Sequence, residues 1–237
     1  MKIKHYYYFG NEVQKELNGA MLNENNWDVL RTQGDKAFAL ENDIEQYEKN
    51  CEQSLEYKEA AKMIVSLLKK NNISKVVSLG AGKGILEWHI KNQMPEVHMV
   101  CTDYASEGIE QLKRVFIKCD EIYRYDMVEG DYSVWKDATI LMYRISTEFT
   151  KEEWKNIFNR IYQCGIGRII FVPTELLTFK IMVKEFGRHI LNRICGRKDI
   201  MCGWMYSRKE FIEMFQEYNI DEEYGKKADK TVFSLVK

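Results

Sequence analysis

Val76-Val77-Ser78-Leu79-Gly80-Ala81-Gly82-Lys83-Gly84-Ile85-Leu86-Glu87 is the stretch of this 237-residue chain that decides its fold. Residues 76–79 form a short, mostly β-branched apolar run, which is typical of a buried parallel strand. Three glycines then follow at alternate positions, and apolar residues resume with helical spacing. A strand, a glycine turn and a helix in this order place main-chain N–H groups and a helix N-terminus where a ligand can bind.

The spacing of the glycines excludes two common nucleotide-binding loops. A phosphate loop needs Gly-x-x-x-x-Gly-Lys-Ser/Thr. Here Gly82-Lys83 is followed by Gly84, and Val77 stands five positions before Gly82. A dinucleotide fingerprint needs Gly-x-Gly-x-x-Gly, and its third glycine is replaced here by Ile85.

The remaining pattern, Gly-x-Gly-x-Gly after a strand, resembles motif I of the class I S-adenosylmethionine-dependent methyltransferases. The resemblance implies that Gly80, Ala81, Gly82 and Gly84 contact this cofactor. The family usually has an acidic residue two positions before the first glycine, where it helps to orient the methionyl end, and this chain has Ser78 there. The alternative is a glycine turn that only packs the strand against the helix.

A carboxylate stands at the end of the next predicted strand, residues 97–102. Asp103 follows Gly80 by 23 positions, and a carboxylate so placed can accept two hydrogen bonds from ribose hydroxyls. Tyr104 would then lie beside the ribose or the adenine. The alternative is that Asp103 only caps the following helix, predicted over residues 105–118.

The third predicted strand, residues 121–128, ends near a second acidic residue. In the resembling family, an acidic residue in this loop accepts a hydrogen bond from the adenine amino group, and the next residue covers the ring. Asp126 and Met127 fit these two places, and Asp131 is the competing acid. The sequence leaves this choice open.

The fourth predicted strand, residues 138–145, ends in polar residues that the resemblance places beside the transferable methyl group. The chain lacks the Asn/Asp-Pro-Pro-Tyr motif of members that methylate amide or ring nitrogens. Tyr143 and Arg144 are predicted to orient a substrate, although Tyr143 could be a core residue and Arg144 could pair with a structural acid. If a general base is needed, the candidates are Glu148, Tyr143 and His189.

The fold class follows from the order of the remaining strands. A fifth strand over residues 167–172 and a terminal hairpin over residues 219–225 and 231–236 complete the pattern. We therefore expect an α/β fold with a seven-stranded, mostly parallel, doubly wound sheet whose last strand is antiparallel. The resembling family has this arrangement, whereas an ordinary nucleotide-binding sheet has six parallel strands.

Two segments lie outside this pattern. Residues 1–53 are predicted to form a helical N-terminal cap, or a lid over the substrate, in front of a methyltransferase domain at 54–237. A helical insert is expected at about 174–203, and it contains a basic amphipathic helix over residues 175–198. That helix either covers the core with a solvated basic face or binds an anionic surface or substrate.

Composition narrows the function. The net charge is −1, so no excess of basic residues favours nucleic acid. Six cysteines without a Cys-x-x-Cys pair indicate reduced thiols in a cytoplasmic protein, and four scattered histidines give no metal-ligand spacing. No signal peptide or integral membrane segment is expected.

The sequence thus predicts an S-adenosylmethionine-dependent methyltransferase that transfers the methyl group in line to an oxygen or nitrogen of a small-molecule acceptor. A methyltransferase of RNA or of a membrane-linked substrate, an NAD(P)-binding oxidoreductase and a catalytically silent cofactor-binding module are the alternatives. The acceptor and the oligomeric state stay open.

Overall fold

The computed structural model describes residues 3–7, 27–29, 39–195 and 200–237. The strands within this part of the chain are β1 Ile3–Tyr7, β2 Lys75–Leu79, β3 His98–Asp103, β4 Glu121–Arg124, β5 Thr139–Tyr143, β6 Arg168–Val172, β7 Ile200–Met205, β8 Asn219–Gly225 and β9 Lys230–Val236. The helices are α1 Ile44–Gln53, α2 Leu55–Lys70, α3 Ile85–Gln93, α4 Ser106–Val115, α5 Lys151–Gln163, α6 Phe179–Ile194 and α7 Arg208–Met214.

Seven of these strands form one sheet in the order β4-β3-β2-β5-β6-β9-β8. The five strands β2 to β6 are mutually parallel, whereas β9 runs antiparallel to both β6 and β8. This arrangement confirms the predicted seven-stranded sheet with its antiparallel last strand. The carboxyl ends of the parallel strands meet at one edge, which is where ligands bind in open α/β sheets.

The central parallel strands of the sheet are buried on both faces, as a parallel sheet requires. Alternate residues of β2 enter opposite cores: Val76 packs with α2, α3 and α4, and Val77 packs with α5 and α7. The second core is rich in aromatic rings, and Trp154 and Phe158 of α5 stack with their centroids 5.3 Å apart. The chain therefore has two apolar layers, one on each side of the sheet.

Side-chain capping begins two of the helices. At α5, the Thr150 N–H donates to Glu153 Oε2 at 2.7 Å, and the Glu153 N–H donates back to Thr150 Oγ1 at 3.3 Å. Ser207 and Glu210 form the same reciprocal pair at α7. Each pair satisfies N–H groups that lack an intrahelical partner.

Several predicted boundaries were too wide. The strand expected over 121–128 ends at Arg124, because Asp126 Oδ1 accepts the N–H groups of Val128 and Glu129 and turns the chain. The strand expected over 138–145 ends at Tyr143, because the next residue, Arg144, adopts a positive φ of 60°. Similarly, the basic helix expected over 175–198 spans 179–194.

A small second sheet was not expected from the sequence. Strand β1 pairs antiparallel with β7, so residues 3–7 and 200–203 are extended where a helical cap and a helical insert were predicted. Tyrosines at positions 6 and 7 favour a strand, but the pairing joins residues almost 200 positions apart, which periodicity alone does not reveal. The helix α1 does lie within the predicted cap. Residues 8–26 and 30–38 of the predicted cap or lid lie outside the described residues.

Candidate functional site

The corner between β2 and α3 contains three glycines whose backbone φ angles are positive, in the left-handed region. Gly80, Gly82 and Gly84 have φ values of 69°, 59° and 64°. Side chains strongly disfavour this conformation, so three alternate glycines allow a turn that other residues would strain. The N–H of Ala81 donates to the carbonyl oxygen of Thr102 at 2.8 Å, which fixes the corner against the end of β3.

Packing also requires two of these glycines. A Cβ atom on Gly80 would lie 2.7 Å from Cγ2 of Ile145, and one on Gly84 would lie 3.1 Å from side-chain carbons of both Leu112 and Phe116. The packing role proposed as an alternative is therefore present at Gly80 and Gly84. The contact with Ile145 has a further consequence, since it brings the segment that follows β5 directly against the corner.

Asp103 lies at the same corner. Its Oδ2 accepts the N–H of Gly82 at 2.7 Å, its Oδ1 accepts the N–H of Ala105 at 3.1 Å, and its residue surface is only 7% exposed. The residue that caps α4 is Ala105, so the alternative that Asp103 is merely the N-cap of this helix is wrong. The carboxylate and the glycine turn are thus brought together from positions 21 residues apart.

The end of β4 joins the corner through the main chain. The N–H of Tyr125 donates to the carbonyl oxygen of Asp103 at 2.9 Å. Tyr104 is half-buried, and the Arg124 guanidinium lies 5.3 Å from the centre of its ring. Met127, the predicted ring cover, is buried.

The two competing acids of the β4 loop make different local bonds. Asp131 accepts the Ser133 N–H with Oδ1 at 2.8 Å and the Ser133 hydroxyl with Oδ2 at 2.7 Å, so both of its oxygens are used in capping a short 3₁₀ helix. Asp126 uses Oδ1 for the N–H groups of Val128 and Glu129. Of these two acids, only Asp126 thus has a carboxylate oxygen, Oδ2, that makes no hydrogen bond within its own turn.

Arg144 is held in a strained conformation at the end of β5. A positive φ in a residue other than glycine costs on the order of 1–3 kcal/mol, and such strain is concentrated at functional sites. Its N–H donates to the Val172 carbonyl oxygen at 2.8 Å, and its own carbonyl oxygen accepts the Thr174 hydroxyl at 2.8 Å. The guanidinium lies 3.3 Å from Glu56 Oε1, which is also 3.2 Å from Lys230 Nζ. The structural acid expected as the alternative partner of Arg144 is therefore present.

Tyr143 precedes this strained residue and is only 7% exposed. Its hydroxyl oxygen is buried and has no hydrogen-bond partner among the described residues. Burial raises the pKa of this phenol well above its usual value, although Arg144 opposes the shift. Tyr143 is therefore neutral at physiological pH and is suited to donate a hydrogen bond rather than to act as a base.

The other two candidate bases differ in what the structure shows. Glu148 is half-buried, follows Ile145 by three residues, and its Oε1 accepts the Thr147 hydroxyl at 3.2 Å. Position 189 lies in α6, and the side chain of His189 is outside the described residues. The structure thus brings Tyr143, Arg144 and Glu148 into one segment beside the glycine corner.

Glu87 is a site residue that the sequence analysis missed. The residue is 2% exposed, and its Oε1 accepts the Ser78 hydroxyl at 2.5 Å. Oε2 is buried without a hydrogen-bond partner among the described residues. Burial raises the pKa of Glu87 to about 7, the Ser78 hydrogen bond lowers it, and Asp103 raises it. The first turn of α3 therefore supplies a carboxyl group at the place where the family's strand acid is missing.

Residues before α2 also contact the corner. The Tyr47 hydroxyl of α1 donates to the carbonyl oxygen of Lys83 at 3.0 Å, and Glu41 Oε1 lies 3.4 Å from Lys83 Nζ. On α4, the Gln111 amide donates to the Leu40 carbonyl oxygen at 2.9 Å. Tyr47 lies at helical spacing from other apolar residues in the sequence, but that pattern does not predict its contact with a loop 36 residues away.

Neither a metal cluster nor a membrane-spanning helix occurs in the described part of the chain. No group of three or more His, Cys, Asp or Glu side chains there is arranged to hold a metal ion. None of the helices there combines the length and the apolar character that crossing a bilayer demands.

Comparisons with solved structures agree on the fold. Human N-acetylserotonin methyltransferase in complex with S-adenosylmethionine superposes with a TM-score of 0.54 at 14% identity, over 75% of this chain and 51% of that chain. Magnesium protoporphyrin IX methyltransferase from Synechocystis PCC 6803 with S-adenosylmethionine has a TM-score of 0.57 at 9% identity, over 93% and 100%. The mitomycin 7-O-methyltransferase has a TM-score of 0.55 at 13% identity, over 77% and 53%.

The chain spans about half the length of the human N-acetylserotonin methyltransferase and of the mitomycin 7-O-methyltransferase. No curated protein sequence matches it. A family model described as an O-methyltransferase domain does match, over residues 6–179, which is well over half of the chain. This match confirms the family that the glycine motif predicted, and the chain belongs to the O-methyltransferase domain family.

Proposed function

We propose that the protein is an S-adenosylmethionine-dependent methyltransferase that acts on a small-molecule acceptor, at an oxygen or a nitrogen. Membership of the O-methyltransferase domain family favours oxygen. The observation that supports the proposal most strongly is the 2.7 Å bond from the Gly82 N–H to Asp103 Oδ2. It places a carboxylate suited to a ribose beside a bare main-chain corner, at the carboxyl edge of the sheet.

The residues present fit this cofactor. The left-handed corner leaves main chain without side chains at Gly80, Gly82 and Gly84, and a carboxylate lies against it. In the proposed assignment, Asp103 accepts hydrogen bonds from the ribose and Asp126 accepts one from the adenine amino group. The remaining cofactor contacts are proposed for Ala81, Tyr104, Met127 and Tyr143.

The chemistry beside the corner follows from the protonation states of the side chains. When bound, the cofactor supplies a methyl group activated by a sulfonium. Tyr143 is neutral and can donate a hydrogen bond to a ligand. Arg144, whose guanidinium pairs with Glu56, is proposed to orient the substrate. Glu148 is the proposed base for an acceptor whose pKa requires deprotonation, since it is a half-buried carboxylate within the same loop.

Two alternatives lose support from the structure. An NAD(P)-binding oxidoreductase was expected to have a parallel sixth strand, but β9 is antiparallel to β6. A catalytically silent module was an alternative because Ser78 replaces the acidic residue usual in the family. However, the Ser78 hydroxyl donates a hydrogen bond to the carboxyl group of Glu87. The structure therefore favours a methyltransferase over these two alternatives.

A thermal-shift assay tests the class of ligand. S-adenosylhomocysteine is expected to raise the melting temperature in a concentration-dependent manner, because a ligand that binds only the folded state stabilises it. NAD and ATP at equal concentrations are the controls. A shift with NAD alone would contradict the proposal, and the absence of any shift would favour a protein that has lost cofactor binding.

Catalysis needs a separate measurement. Methyl-labelled S-adenosylmethionine incubated with a panel of hydroxylated and aminated small molecules should give labelled product with at least one acceptor. Glu148→Gln, which keeps the side-chain shape, should reduce turnover with a hydroxyl acceptor while leaving cofactor binding intact. Binding without transfer to any acceptor of the panel would count against a small-molecule methyltransferase.

A further inference from the structure

Helix α6 has an apolar stripe that faces away from the protein. Phe179, Val183, Phe186, Ile190 and Ile194 are 80%, 55%, 67%, 42% and 76% exposed. Their spacings of four, three, four and four residues place them on one side of a helix. The expectation that this helix covers the core with its apolar side is therefore wrong.

Helix α5 shows that this exposure is not a general property of amphipathic helices in this chain. Its stripe has similar spacing, and Trp154, Ile157, Phe158 and Ile161 are all at most 1% exposed. Isolated exposed apolar residues are common on protein surfaces, but a continuous stripe with two phenylalanines marks an interaction surface. The stripe of α6 therefore calls for a partner.

The charge of the segment indicates what kind of partner fits. Residues 179–197 contain five basic residues, at positions 180, 184, 188, 193 and 197, and one acidic residue, Glu185. The segment thus has a formal charge of +4 in a chain whose net charge is −1. On a helical projection of about 100° per residue, positions 180 and 184 lie on one flank of the apolar stripe, whereas position 188 lies opposite it.

The apolar stripe and the positive charge together indicate which partner covers α6. Two copies of the chain that paired through α6 would bring together two segments of +4 each, which opposes association. An anionic lipid surface instead offers hydrocarbon to the stripe and negative headgroups to the basic flank. The helix has 16 residues and is about 24 Å long, which is too short to span a bilayer of about 30 Å and suits a position parallel to its surface.

We propose that α6 is a membrane-surface helix that binds the protein reversibly to bilayers containing anionic phospholipids. The helix begins five residues after Thr174, whose hydroxyl bonds to the carbonyl oxygen of Arg144. Binding through α6 therefore brings the candidate site close to the lipid surface. The proposal does not depend on the methyl acceptor.

Vesicle flotation with the full chain tests the proposal. We expect binding to phosphatidylcholine vesicles that contain about a third phosphatidylglycerol, and weaker binding both to pure phosphatidylcholine and at high salt, because salt screens the charge term. The double variant Phe179→Ser/Phe186→Ser should lose at least about tenfold in the vesicle partition coefficient. Lys180→Glu/Lys184→Glu should lose binding to the anionic vesicles in particular.

Matched variants control for unspecific surface effects. Ile117 and Val134 are 64% and 67% exposed and lie outside α6, so Ile117→Ser/Val134→Ser should leave binding unchanged. Lys226→Glu/Lys227→Glu, in the turn between β8 and β9, makes the same charge change at exposed positions elsewhere. Circular dichroism melting curves check that each variant is folded.

Three results would overturn the proposal. The wild type could fail to float with anionic vesicles, or the α6 variants could bind as well as their matched controls. Alternatively, the wild type could be a dimer by light scattering that the Phe179→Ser/Phe186→Ser variant converts to a monomer without any change in lipid binding, which would assign the stripe to self-association.

Discussion

The two edges of the central sheet each use an aspartate to hold a main-chain N–H, but the surroundings of the two carboxylates differ. At the amino edge, Asp120 Oδ2 accepts the Met99 N–H at 2.7 Å and lies 2.9 Å from Lys91 Nζ. Lys91 is buried and also donates to the carbonyl oxygens of Pro95 and Val97. Every donor of this ammonium group is thus satisfied by the protein.

At the carboxyl edge, by contrast, some buried polar groups have no hydrogen-bond partner among the described residues. Asp103 accepts the Gly82 N–H at the same distance of 2.7 Å, but the edge also contains the strained Arg144. Glu87 Oε2 and the Tyr143 hydroxyl are buried there without hydrogen-bond partners among the described residues. Backbone strain is concentrated at functional sites, and an unsatisfied buried polar atom calls for an explanation, of which a bound ligand is one. The comparison therefore distinguishes Asp120, which is satisfied within the fold, from Asp103, for which we propose a role in ligand binding.

The largest expected effect comes from filling the glycine corner. Gly80→Ala places a Cβ atom 2.7 Å from the stiff, β-branched Ile145 and forces a left-handed φ on alanine. We expect a loss of about 2–4 kcal/mol in the free energy of unfolding, from left-handed strain and overpacking together. Chemical denaturation measures this loss, and S-adenosylhomocysteine affinity should fall by at least about tenfold because the corner N–H groups move.

Gly165→Ala is the matched control before β6, at the amino edge. Gly165 also has a positive φ, of 80°, but a Cβ atom there meets nothing within 4 Å. This variant should lose only the strain term of about 1–2 kcal/mol and should keep its ligand affinity. Equal effects of the two substitutions on ligand binding would remove the distinction between the edges.

The second prediction concerns pH. Because burial raises the pKa of Glu87 from its ordinary value of about 4.5 to about 7, the folded state holds a proton that the unfolded state releases. Stability should therefore fall by up to about 3 kcal/mol as the pH rises from about 4.5 through 7. Glu87→Gln should flatten this part of the profile, as measured by denaturation at a series of pH values.

Asp120 should give the opposite dependence. Burial raises its pKa, but the Met99 N–H and Lys91 outweigh burial, so its pKa is lowered. Its contribution is therefore present above its ordinary pKa and is lost as the pH falls. Asp120→Asn should be less stable than the wild type at neutral pH, and the two should converge in acid.

A Glu87→Gln profile with the slope of the wild type would show that this carboxyl group is not protonated in the folded protein.

The smallest effect should separate the two acids of the β4 loop. Asp126→Ala should weaken S-adenosylhomocysteine binding by about tenfold, which corresponds to one hydrogen bond, whereas Asp131→Ala should cost stability alone. S-inosylhomocysteine, whose purine lacks the amino group, sharpens the test, because Asp126→Ala should no longer distinguish it from S-adenosylhomocysteine. The reverse pattern would assign the adenine contact to Asp131.

The sequence predicted the features of the carboxyl edge that depend on local pattern. The glycine spacing, the position of Asp103 after β3 and the hairpin of β8 and β9 each follow from short-range periodicity and turn chemistry. These features were enough to predict the seven-stranded sheet with its antiparallel last strand and the family.

The sequence could not predict features that depend on contacts in space. Glu87 reads as one polar residue within α3, and its bond to Ser78 appears only when the corner folds the helix back onto the strand. Likewise, α5 and α6 both have apolar residues at helical spacing, and only the tertiary structure shows that one stripe is buried and the other is exposed. The pairing of β1 with β7 also joins distant parts of the chain.

Isothermal titration with S-adenosylhomocysteine tests the central claim most directly, by comparing Asp103→Ala with Asp120→Ala. The two substitutions remove the same kind of bond from opposite edges of the sheet. We predict that Asp103→Ala loses about 2–4 kcal/mol of binding free energy, or about 30- to 1,000-fold in affinity, while Asp120→Ala binds like the wild type. Unchanged affinity in a folded Asp103→Ala variant would contradict the account.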